Sequence, residues 1–224
     1  MAAAAVLGNP CTVPTAVAVA AILMAEAFGY RPCCWLAKPL ASIGFLLAAL
    51  AAGARASAYG RSVLAAQFLG FVGDVLLLSE AQSFFALGLT AFLLGHLAFV
   101  AGFLHLGLDW RATATASAAV APLAVAAGRW LWPGVQRTLR GPVAAYIIVI
   151  SGMLATAVGA VTRCGTDGGQ LGLGGAVAFF VSDLFVARER FKAKGFINKA
   201  IGLPAYYAAQ LMFAASVDAC GQAT

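Results

Sequence analysis

The chain has 224 residues, of which 62% are hydrophobic and only 10% charged, with a formal net charge of +6 and a mean hydropathy of +0.92. A soluble domain carries roughly 25% charged residues, so the composition excludes a soluble globule and makes the bilayer the solvent. The basic balance does not indicate nucleic acid as a partner, because no basic run is interleaved with aromatics and membrane proteins need basic loops in any case.

Apolar runs long enough to cross a bilayer recur along the whole chain with short breaks at Gly, Pro and charge. Met1 to Pro14 contains no Lys or Arg, so the charged start of a secretory signal is missing and the first run, 12–29, is expected to be a retained span. Glu26 lies near its end. The second run, 36–52, is preceded by Cys33 and Cys34 and begins close to Lys38. The five cysteines include no C-x-x-C pair and no His at ligand spacing, so neither a disulfide framework nor a metal site is expected. Cys33 and Cys34 are read as small apolar residues at a helix end, with palmitoylation the alternative.

The third run, 61–79, contains Gly70, Gly73 and Asp74; the fourth, 83–105, puts Gly88, Phe92, His96 and Phe99 on one helical face. The fifth is 112–128, and the sixth, 142–162, opens with Tyr146. The seventh, 170–187, holds Gly172, Gly174, Gly175 and Ala176 ahead of Phe179, Phe180, Ser182 and Asp183; the eighth, 200–219, holds Pro204, Tyr206, Tyr207 and Gln210. The runs are continuous, without the alternation of an outer-membrane barrel. The expected fold is an all-α polytopic transmembrane helix bundle of about eight spans, a single domain over 1–224 with antiparallel neighbours.

Summing basic residues on each side sets the orientation. Arg55, Arg61, Arg111 and Arg163 fall on one side; Arg31, Arg129, Arg137, Arg140, Arg188, Arg190, Lys192, Lys194 and Lys199 fall on the other, with Lys38 close by. The second side is expected to be cytoplasmic, with both termini opposite. Asp74 is five positions from Ser79 and Asp183 four from Ala187, so both should lie roughly 6 to 8 Å inside this basic end. Glu26, Lys38 and Tyr146 fall at similar depth, His96 and Gln210 deeper. Side chains from separate helices thus converge on one half of the membrane, as they would around a cavity open to the basic face.

An acidic residue in hydrocarbon costs about 2.5 to 3.5 kcal/mol on the lenient insertion scale, so two at matched depth need an explanation. A purely structural one is an interhelical hydrogen bond, or an ion pair with Lys38. For Glu26 and Lys38 it is snorkelling or a salt bridge, for His96 interhelical bonding, and for Tyr206 and Tyr207 interfacial anchoring. The functional alternatives are a proton-coupled transporter and an enzyme using paired carboxylates. An intramembrane aspartyl protease fits less well, since Phe71-Val72-Gly73-Asp74 is not Gly-x-Gly-Asp and no Tyr-Asp is present on a partner helix. No nucleotide loop, nucleophile elbow or H-E-x-x-H occurs.

One ordered set of residues resembles a known family, the YhhN-like lysoplasmalogenases. The set is Lys38-Pro39-Leu40; Gly73-Asp74-Val75-Leu76; Phe92 with His96; Tyr146 and Met153; Gly175-Ala176 through Phe179 to Ser182-Asp183; and Tyr206-Tyr207-Ala208-Ala209-Gln210. It covers most of the chain from Lys38 to Gln210, and Val186 to Phe191 with Gly195 to Leu203 looks more like bacterial members. Phe99 departs from the pattern, where a Tyr is frequent.

The resemblance implies hydrolysis of the vinyl ether bond of a lysoplasmalogen to a fatty aldehyde and a glycerophosphocholine or glycerophosphoethanolamine, with no cofactor and no metal. The implied home is a bacterial plasma membrane, or the endoplasmic reticulum in a eukaryote. Asp74 and Asp183 are then the candidate acid and counter-anion, by the logic of paired carboxyls across an oxocarbenium-like transition state. Phe179 and Phe180, beside Asp183, favour it as the acid. Lys38 and the cluster Arg188, Arg190 and Lys192 are expected to hold the phosphate of the lysophospholipid. His96, Tyr146, Ser182, Tyr206, Tyr207 and Gln210 would orient the pair, the substrate or the water.

Overall fold

The computed structural model describes residues 2–221; of the expected domain 1–224, residues 1 and 222–224 lie outside them. The described chain is all helical. In order it forms α1 (Ala2–Leu7), α2 (Thr12–Ala27), α3 (Arg31–Ala51), α4 (Ala58–Leu76), α5 (Gln82–Leu106), α6 (Trp110–Leu131), α7 (Arg140–Cys164), α8 (Asp167–Phe191) and α9 (Phe196–Gly221), with two short 3-10 turns between α6 and α7.

Local chemistry fixes the helix ends. Ser57, Asp109 and Thr166 cap α4, α6 and α8 by accepting from the backbone N–H groups of Gly60, Ala112 and Gly169, each satisfying a donor that the first turn leaves unpaired. Gly165 closes α7 at φ 60°, a left-handed conformation that favours a residue without Cβ. α5 to α9 outrun the expected spans at both ends, whereas α2 stops two residues and α4 three residues short of the expected end. The run 170–187 belongs to a helix covering Asp167–Phe191, which continues through Arg188 and Arg190 in its last turn. Hydropathy marks the apolar stretch, whereas the helix persists into its charged ends, where cations meet the negative end of the dipole.

Five segments are long and apolar enough to cross a bilayer: Arg31–Ala51, Gln82–Leu106, Arg137–Cys164, Asp167–Phe191 and Phe196–Cys220. They make the chain an integral membrane protein. The expected count of about eight is met only in this part. α2 is apolar but has 16 residues, α4 carries Arg61, Gln67 and Asp74 within 19, and α6 is diluted by Thr, Ser and an Arg near each end.

α9 is the axis of the bundle. In its apolar window 61% of residues are buried, against 33–39% in the other four, and it packs on α8, α3, α2 and α4. Small residues allow the approach: a Cβ at Gly175 of α8 would stand 3.2 Å from the Ala209 carbonyl oxygen and 3.1 Å from the Phe213 ring. The main core gathers Phe45, Phe103, Met153, Phe179 and Phe213 around this axis. A smaller apolar cluster of Phe85, Leu131, Val135, Leu139 and Val143 lies at the junction of α5, α6 and α7. α6 stays on the flank, with only Val120 and Leu131 buried.

Candidate active site

Asp74, on the last turns of α4, is buried at 4% exposure. Its Oδ2 accepts from Ser42 Oγ of α3 and from Tyr206 Oη of α9, both at 2.7 Å. Tyr207 Oη lies 3.4 Å from Ser42 Oγ, which is also 3.0 Å from the Lys38 carbonyl oxygen. Three helices therefore meet on one oxygen. Hydrogen bonds of this kind, at about 0.5–1.5 kcal/mol each, offset part of the cost of holding a carboxyl in hydrocarbon.

Asp183, on α8, is built in the same way from different helices. Its Oδ2 accepts from Tyr146 Oη of α7 at 2.7 Å and faces His96 Nε2 of α5 at 3.1 Å. His96 Nε2 is also 2.9 Å from Tyr146 Oη. With the phenolic proton on the aspartate side, Nε2–H is the tautomer that satisfies both contacts. His96 is fully buried, whereas the Asp183 side chain retains 17% exposure. In both aspartates the second oxygen, Oδ1, has no hydrogen-bond partner among the described residues.

An aromatic wall stands between the two clusters. The Phe179 ring lies 4.7 Å from the His96 ring and 5.2 Å from that of Tyr206, both edge-on, and Phe92 lies 5.8 Å from Tyr206. Phe92 is tightly seated, since a Cβ on Gly73 would come within 2.5 Å of it. No hydrogen bond among the described residues joins one carboxyl to the other.

Both aspartates line a single cavity of about 630 Å³, within the range of ligand sites. Lys38, Tyr146, Ser182, Arg190 and Tyr206 line it too, with Glu26, Arg31, Glu80 and Lys199. A further side is apolar: Ala124, Ala127 and Leu131 of α6, with Val143 and Ile147 of α7. The cavity thus borders both the main core and the smaller cluster.

Several expectations need correction. The ion pair considered between Asp74 and Lys38 is not among the ion pairs of the described residues, which are Arg31–Glu80, His96–Asp183 and Lys199–Glu26. Glu26 accordingly belongs with α9 and not with Lys38. Of the basic cluster, only Arg190 lines the cavity, its guanidinium 4.3 Å from the Phe85 ring centroid. Arg188 bonds to Asn198, and Lys192 lies over Trp130. Phe179 packs on His96 and Tyr206, while Phe180 lines the cavity together with Asp183. Tyr207 and Gln210 are buried behind the cavity; the Gln210 side-chain amide lies beside the Tyr206 hydroxyl against Gly70, and its backbone carbonyl accepts from Gln67. Ser42 was not singled out by sequence, although it sits one turn after Lys38 on the same face. Phe99, where the resemblance favours Tyr, is stacked on Phe213 at 3.9 Å.

Comparison with known proteins matches this framework. The YhhN family matches residues 33–217, a range that holds both aspartates and all their hydrogen-bond partners. Lysoplasmalogenases of Mycobacterium bovis and Mycobacterium tuberculosis are each 33% identical to the chain over 183 residues, covering 78% of it and 67% of the relative. No solved structure matches. With the match running from the start of α3 nearly to the end of α9, the chain belongs to the YhhN family.

Proposed function

We propose that this protein hydrolyses the vinyl ether bond of lysoplasmalogens, working as a bundle of eight membrane-crossing helices, α2 to α9, in a bacterial plasma membrane with its basic face cytoplasmic. The observation that carries the reading is that Asp74 and Asp183, from separate helix groups, line one cavity and each keep one carboxyl oxygen unengaged. The mycobacterial lysoplasmalogenases supply the reaction class.

Vinyl ether hydrolysis begins with proton transfer to the alkene carbon distal to oxygen, which leaves an oxocarbenium ion. Water adds to the carbon bonded to oxygen and loses a proton to a base. The resulting hemiacetal breaks its C–O bond as the glycerol oxygen takes up a proton, and aldehyde and glycerophospho-head group leave. One carboxyl must therefore enter protonated and another as an anion, as in glycoside hydrolysis. Asp183 suits the anion, because the Tyr146 hydroxyl and His96 Nε2–H both donate to its Oδ2. Asp74, bonded only by hydroxyl groups, is the acid. This reverses the assignment that Phe179 and Phe180 suggested. Lys38 and Arg190 hold the phosphate, and the hydrocarbon chain lies along Ala124 and Ala127.

The test uses purified protein in detergent with an alkenyl lysophospholipid and its alkyl ether analogue. Aldehyde should appear from the first only, and Asp74→Asn and Asp183→Asn should each reduce turnover by about 10²–10⁴-fold, the usual contribution of general acid–base catalysis, without unfolding. Near-wild-type activity in either variant refutes the paired mechanism. If neither lipid is cut and proteoliposomes carry a proton or solute flux, a transporter is the correct reading.

A further inference from the structure

The cavity rim carries charges that the chemistry at Asp74 and Asp183 does not use. Three carboxylates line it: Glu26, Glu80 and Glu189. Glu189 is committed to the turn between α8 and α9, accepting from the Gly195 N–H at 2.8 Å and from Asn198 Nδ2 at 2.6 Å. Glu80 is paired with Arg31 at the solvent edge, the two side chains 73% and 57% exposed; water and salt would screen any ligand there. Glu26 differs from both. It sits in the last turn of α2, 21% exposed, and pairs with Lys199 of α9, itself 37% exposed. Lys38 and Trp35 of α3 line the same rim.

The Lys199–Glu26 pair is more than the contact between its helices requires. α2 and α9 already pack against each other, with Ile22, Ala25 and Phe213 in the shared core, and a partly exposed pair of flexible side chains contributes only about 0–1 kcal/mol. What the pair does provide is a dipole on the cavity rim. An ethanolamine or choline phosphodiester is a dipole of the same kind, with an anion and an ammonium separated by two carbons. Placed against Lys199–Glu26 it can exchange partners so that every charge stays compensated, which avoids leaving a half-buried charge unpaired. Trp35 adds an aromatic face, the surface that suits a methylated ammonium.

Resting on the lysophospholipid reading above, we propose that Glu26 is the ammonium subsite of the head group, with Trp35 beside it, and that Lys199, released from Glu26, joins Lys38 on the phosphate. The protein then selects zwitterionic head groups over a bare phosphate.

Binding of uncleavable alkyl ether lysophospholipids of one chain length, with choline, ethanolamine or bare phosphate head groups, tests this by calorimetry in nanodiscs. The wild type should bind the choline and ethanolamine lipids about tenfold or more tightly than the bare phosphate, as one desolvated charge pair allows. Glu26→Gln should remove that preference by weakening only the two zwitterionic lipids. Trp35→Leu, at an exposed position where folding is safe, should weaken the choline lipid most. Equal weakening of all three lipids by Glu26→Gln, no weakening of any, or a wild type without preference overturns the proposal. Because these analogues are not cleaved, a wild type that shows the preference yet releases no aldehyde from vinyl ether lipids overturns the hydrolase reading and leaves the head-group subsite standing.

Discussion

Tyr146→Phe isolates one hydrogen bond at the proposed anion. The change removes a hydroxyl that stands 2.7 Å from Asp183 Oδ2 and 2.9 Å from His96 Nε2, while keeping the ring that packs edge-on to His96 at 5.2 Å. Asp183 then retains only the 3.1 Å contact to His96. A hydrogen bond to a charged group contributes about 1.5–3 kcal/mol, and if the phenol holds the carboxylate where it must meet the oxocarbenium ion, kcat should fall roughly ten- to 150-fold. Aldehyde release is followed by coupled reduction across a range of substrate concentrations. The loss should appear in kcat, and adding Tyr146→Phe to Asp183→Asn should cost little more, because the tyrosine acts through that carboxyl. A variant with wild-type kcat, or a loss fully additive with Asp183→Asn, refutes this role.

Gly73→Ala drives a Cβ to 2.5 Å from Phe92, whose ring is backed by Phe179 and Tyr206; overpacking of about 1–3 kcal/mol should lower Tm, and Phe92→Leu should restore much of it, whereas an unchanged Tm in Gly73→Ala refutes the packing. Ala127→Trp fills the apolar side of the cavity, so the profile of activity against alkenyl chain length should shift to shorter chains, and a uniform loss across lengths would count against that position for the chain. Arg31 holds the Glu80 carboxyl below its ordinary range, first by hydrogen bonding and then by its charge. A depressed folded value means the pair supports the fold above the ordinary Glu range and loses that support as pH falls through the lowered value; in Arg31→Ala the Glu80 midpoint, followed by carbon NMR, should rise back to the ordinary range, and an unmoved midpoint would rule out the pairing.

The sequence revealed the site in proportion to how costly each residue is in hydrocarbon. Asp74, Asp183, His96 and Tyr146 stand out because a polar group there needs a reason, and the structure joins each to a partner. Ser42 stayed hidden because a serine in a membrane helix ordinarily satisfies itself on its own backbone, and this one does lie 3.0 Å from the Lys38 carbonyl oxygen. Periodicity marks Arg188, Arg190 and Lys192 as one basic cluster, yet long side chains two positions apart on a helix point in different directions, so one reaches Asn198, one Phe85 at the cavity and one Trp130. Depth counting put the two aspartates at one level but could not say what separates them. The separator is the aromatic wall of Phe92 and Phe179, and it bears on the proposed chemistry. Each carboxyl has its own pair of donors from different helices. In the proposed chemistry the two carboxyls keep separate roles, and a vinyl ether in the cavity that both line would receive a proton from one and meet a water activated by the other.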